Sequence, residues 1–171
     1  METQDLPITN YAKTFGLIFG AYSILILVLL YAFGYETNTG ISMLNLAVTI
    51  AIVWYAIHLY KQDNNGMLSL STAIKLGLAI GVIGGLIYGI YSYFHYEFLQ
   101  PEVIEEMKTA TETEMEAEIE RQQMSDEEAE MMRKTAGIFA SPFILGTIAL
   151  VSILVKTFIF GLIIGLIKRN K

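Results

Sequence analysis

The chain has 171 residues, 54% of them hydrophobic and 16% charged, with a mean hydropathy of +0.50 and a net charge of −6. That balance is too apolar and too poor in charge for a soluble domain of this size, and the lack of cysteine excludes disulfides, thiol nucleophiles and cysteine-based metal sites. Residues 97–135 hold thirteen acidic and four basic side chains against four and seven elsewhere, so a mildly basic apolar body carries one acidic segment.

A membrane-spanning helix needs about 20 largely apolar residues. Four stretches meet this, at about 14–35, 38–60, 74–96 and 137–167. They are continuous apolar runs without alternation, which favours helices over barrel strands, since a helix satisfies its backbone within one segment. The leader METQDLPITNYAK is acidic ahead of its one lysine and no small-residue cleavage site follows the first run, so that run reads as a permanent helix.

The third run, KLGLAIGVIGGLIYGIYSYFH, places Gly77, Gly81, Gly85 and Gly89 at a four-residue step, with Gly84 beside them. Gly16 and Gly20 repeat the step on the first run, and Gly161 and Gly165 on the last. Lipid tails are as apolar as leucine, so helices in a bilayer associate by close packing, which small residues permit. Helix packing within the monomer is the expected use of these glycines. A homo-oligomer interface is the alternative, and a pore lining a third.

Between the third and fourth runs lies the acidic helical insertion, 97–136. Pro101 suits a first helical position, and Glu, Met, Ala, Gln, Arg and Lys dominate the rest of the segment. Ile104, Met107, Met115 and Ile119 form a thin apolar stripe, and SDEE from Ser125 to Glu128 reads as a capping box opening a second helix after a break at 122–125. A solvated helical hairpin is the simpler reading of the carboxylates; no loop of alternating oxygen ligands points to a metal site. The KQDNNG turn has Lys61 at the first ligand position of an EF-hand, which rules that motif out.

Lys156 is the one charge deep inside a run, Lys75 standing at the edge of the third. It stands about 18 Å of helix rise before Lys168, and an ionisable residue at that depth is a candidate functional residue. No carboxylate lies inside a run to pair with it, so bonding to a carbonyl or to the hydroxyl of Ser152 or Thr157, or snorkelling, competes with a functional role. Asn45 can bond across helices, and His58 and His95 fall toward opposite ends of the runs, too far apart to share a metal. Ser141-Pro142 marks a kink or a helix start. Intramembrane aspartates, H-E-x-x-H, a nucleophile elbow and a P-loop are absent from the sequence. No enzyme, cofactor or metal is therefore expected, and the acidic soluble part argues against nucleic acid.

Lysine and arginine placement orients the runs. With both termini inside, the inner side gathers Lys13, Lys61, Lys75, Lys168, Arg169 and Lys171, and the outer side Lys108, Arg121, Arg133 and Lys134. Tyr31, Phe33, Tyr35, Tyr91, Tyr93, Phe94, Tyr96 and Phe98 would then mark the outer interface, and Tyr11, Trp54, Tyr55 and Tyr60 the inner one.

The order of KTFGLIFGAYSILILVLLYAFG, YKQDNNGMLSLSTAIKLGLAIG, IYSYFHYEFLQPE, MSDEEAEMMRK and GLIIGLIKRNK resembles a bacterial domain-of-unknown-function family of small inner-membrane proteins with four helices. The resemblance implies the fold and the membrane location and carries over no activity and no functional residue. The expectation is thus an all-α, single membrane domain over 1–171, a four-helix bundle in the bacterial inner membrane with both termini cytoplasmic. Its partners would be the lipid bilayer and a protein docking at the acidic insertion. A structural or interaction role leads, with a small transporter or channel subunit as the alternative.

Overall fold

A computed structural model describes residues 6–35, 38–139 and 141–170, with the side chains of 136–139 left aside. Lys171, one of the expected inner-side cations, lies outside these residues. The described residues are helical almost throughout: α1 Thr9–Phe33, α2 Thr39–Asp63, α3 Leu70–Phe94, a π-helical turn His95–Leu99, α4 Pro101–Gln122, α5 Asp126–Phe139 and α6 Pro142–Lys168. Four helices, namely α1, α2, α3 with its π turn, and α6, are long and apolar enough to cross a membrane.

Local chemistry sets the ends. Gly34 closes α1 at φ 64°, a left-handed position natural to glycine, and Tyr35 N–H reaches back to Leu30 O at 2.9 Å. Asn38 opens α2 by accepting Ile41 N–H at 3.1 Å, and Ser69 opens α3 by accepting Thr72 N–H at 3.0 Å. The stretch expected as one span over 137–167 is divided. Residues through Phe139 finish α5, and α6 starts at Pro142, where Ser141 accepts the N–H of Ile144 at 3.3 Å and that of Leu145 at 3.0 Å. Proline has no N–H to extend α5 and a φ already suited to the first position of a new helix.

Two compact units divide the chain, one from Met1–Tyr88 with Ala149–Lys171, the other from Gly89–Ile148. In the first, one apolar core draws on all four long helices: Phe15 and Phe19 from α1, Val53 and Ile57 from α2, Leu76 and Ile80 from α3, Ile153 and Ile164 from α6. Large aliphatic side chains such as Leu25, Leu44, Ile90 and Val155 face outward, as a lipid solvent allows and water does not.

In the second unit α4 packs against α5; Ile104, Met115 and Ala129 are buried there, while Met107 and Ile119 are half-buried. The SDEE segment forms the reciprocal cap: Ser125 N–H donates to Glu128 Oε2 at 2.9 Å and Glu128 N–H to Ser125 Oγ at 3.4 Å. A two-point ion pair, Arg133 to Glu116 at 2.7 and 2.8 Å, ties α5 to α4.

Candidate functional site

The glycines sit where helices meet. A Cβ added at Gly77 would lie 2.6 Å from the Thr157 carbonyl and 3.1 Å from Gly161 Cα; at Gly81 it would lie 3.2 Å from Thr157 Cβ, and at Gly85 2.7 Å from Leu150 Cδ1. These three face α6. Gly161 returns the contact against Ala73 O at 3.1 Å, and Gly165 sits against Ala73 Cβ at 2.8 Å. Gly84 faces the other way: its Cβ would come 2.9 Å from Gly16 O on α1, while Gly16 and Gly20 lie under Ile83 and Ile87. In the second unit a Cβ on Gly146 would stand 2.9 Å from Gly89 O. Gly146 stands outside the four-residue series and was not anticipated; its one signal is a small residue one turn into an apolar helix.

Lys156 is exposed on the outer face of α6, among exposed Val155 and Ile159. Thr157, beside it, is fully buried and donates its hydroxyl to Ile153 O at 3.0 Å and Leu154 O at 3.2 Å, so it serves its own helix. Ser152 is exposed. Asn45 does bond across helices, accepting the Tyr22 hydroxyl at 2.7 Å.

His95 is buried at the start of the π turn, with Nε2 2.8 Å from Gln100 Oε1 and its ring 5.7 Å from that of Tyr91. The turn has a local cause. Pro101 pushes the preceding residue away from α geometry, Gln100 takes φ −134° and ψ 57°, and its N–H reaches five residues back to His95 O at 2.9 Å.

One polar cluster joins residues that the sequence named only separately. It lies where α2 ends and α6 ends. Trp54 and His58 stack at 5.0 Å, one turn apart on α2. Lys168 Nζ sits 3.9 Å over the Trp54 ring and 3.1 Å from His58 Nδ1, and Lys61 Nζ donates to Lys168 O at 2.6 Å. Beside it, Asn170 clasps Leu68 by two bonds to its backbone: Leu68 N–H donates to Asn170 Oδ1 at 2.8 Å and Asn170 N–H to Leu68 O at 3.1 Å. Tyr60, at the same end of α2, is fully buried; its hydroxyl donates to Leu6 O at 2.9 Å and its ring meets Tyr11 edge-on. A signal existed in the spacing: positions 54, 58 and 61 share one helix face. The arrival of Lys168 on that face depends on chain topology, which spacing does not carry.

On α4 and α5 the carboxylates are exposed except that of Glu118, which is half-buried. The Arg133 guanidinium holds Glu116 below the usual carboxylate range, Arg121 does the same for Glu118, and the Ser125 N–H does it for Glu128. Among the described residues no three His, Asp or Glu side chains gather to hold a metal. Met124, Met131 and Met132 line an open groove with Glu128 on its rim.

Residues 14–170 match the model of a family described as Protein of unknown function (DUF4199). No curated protein and no solved structure matches the chain.

Proposed function

Since the chain belongs to the DUF4199 family, whose function is unknown, we propose from its own surfaces that it is a membrane-embedded interaction protein whose α4–α5 pair is the docking surface. The observation that carries this reading is the methionine-lined groove with Glu128 on its rim and Glu127 and Glu130 exposed on the same helix, Met131 being 71% exposed. Methionine adapts to varied apolar partners and the carboxylates attract positive charge, so the surface fits a basic amphipathic segment of another protein. The spanning helices support a scaffold over a conduit: α3 meets α1 and α6 at distances that leave no room for one added carbon at Gly77 or Gly84, and Lys156 faces outward. In this reading the protein sits in a bacterial inner membrane with both termini cytoplasmic, and a second copy of the chain is a further candidate partner.

A photo-crosslinking residue at Met131, introduced in living cells, tests it. The expected outcome is one discrete adduct that Glu127→Lys with Glu130→Lys abolishes. An adduct pattern no different from that of the same crosslinker at outward-facing Val155 overturns the docking reading, as does solute flux through the purified protein in liposomes.

A further inference from the structure

We propose that Lys61, Lys168 and His58, beside Trp54, form a binding site for the phosphate of an anionic phospholipid headgroup. The site rests on donors. The Lys168 ammonium carries three N–H groups and gives one to His58 Nδ1; the Lys61 ammonium gives one to Lys168 O. Because an ammonium only donates, His58 Nδ1 accepts and the ring proton stands on Nε2, a further donor. Arg169 is exposed one residue on. Among the described residues, no carboxylate lies within ion-pair distance of Lys61 or Lys168, and Asp63, the nearest acid in sequence, takes the Tyr11 hydroxyl at 2.5 Å. Two half-buried cations that repel each other are thus left with N–H groups to spare and, among the described residues, no anion. A phosphodiester supplies acceptors alone.

Location selects a lipid as the source. Trp54 and Tyr55 are 43% and 50% exposed on the last turns of a spanning helix, the level at which amphipathic rings meet headgroups. Basic pockets between helix ends at that level hold acidic headgroups, whereas a zwitterionic lipid brings its own cation to a cationic site.

Trp54 is the only tryptophan in the chain, so its emission reports the site directly. The test titrates the full-length protein in neutral detergent with phosphatidylglycerol, phosphatidylcholine or inorganic phosphate. Phosphatidylglycerol should give a saturable change in Trp54 emission that phosphatidylcholine does not. Lys61→Gln and Lys168→Gln should each weaken half-saturation about fivefold, the effect of one cation near a charged surface. Lys168→Arg should retain the response, and Lys75→Gln, exposed on α3, should leave it unchanged. Unaltered helicity and elution of the variants, read alongside, separates loss of the site from loss of the fold, and Lys61→Gln carries the test should Lys168→Gln misfold. An equal response to phosphatidylcholine, or wild-type titration of both Gln variants, overturns the proposal. Saturation by inorganic phosphate alone makes the ligand a soluble anion and overturns the lipid assignment.

Discussion

At Gly77 a methyl group would strike backbone, the Thr157 carbonyl and Gly161 Cα, neither of which can step aside without moving α6. At Gly85 it would strike the tip of Leu150, a flexible side chain that can turn away. Gly77→Ala should therefore cost about 2–3 kcal/mol, an overpacking penalty, while Gly85→Ala should fall within about 1 kcal/mol because helix propensity offsets the crowding. Thermal unfolding in detergent, with outward-facing Val82→Ala as control, reads the ranking; equal effects at both positions would contradict it. The four-residue step alone groups these two glycines as equals. What separates them is the identity of the atom opposite, which belongs to another helix and is invisible to spacing. Lys156 shows the same limit: its depth could be counted, but not whether it faces the core or the lipid. Since it faces outward with no bonding partner among the described residues, Lys156→Met should raise stability in a bilayer by about 1–3 kcal/mol, the part of the charge penalty that snorkelling leaves. A loss of stability would point to a partner for the amine.

The α4–α5 pair turns on Gln123, a non-glycine residue at φ 50° that closes α4 while Met124 N–H reaches Ile119 O at 3.2 Å. A side chain in the left-handed region carries strain that glycine lacks. Gln123→Gly should stabilise the pair by about 0.5–1 kcal/mol, seen as slower amide exchange across 116–133. The carboxylates add a pH dependence. Glu116, Glu118 and Glu128 are all held below their ordinary value of 4.5, so their support is complete above that value and is lost as pH falls through their lowered values. Exchange at 116–133 should accelerate on acidification from pH 5 toward about pH 3, and high salt should reproduce the part due to Arg133. The break near 122–125 and the Ser125 cap were legible because turn chemistry is local. The π turn was not, since it needs a buried His95 and a displaced Gln100 together, and only Pro101 shows in the sequence.

Across the whole chain, the four apolar runs and their helical nature could be read from hydropathy alone, because a bilayer leaves so few solutions for a backbone. Their orientation rests on the lysine and arginine bias, and single cysteines at Glu112 and Lys171 test it: an impermeant reagent should label intact cells at Glu112→Cys and not at Lys171→Cys, with equal labelling of both excluding the orientation. The two-sidedness of α3 has a consequence for biogenesis. Its Gly84 face meets α1, made earlier, but its Gly77–Gly81–Gly85 face meets α6, which leaves the ribosome only after the whole of α4 and α5. For that interval a nascent chain with three helices already inserted presents an unfilled glycine furrow to the insertion machinery and to neighbouring nascent chains. The arrival of α6 seals that furrow.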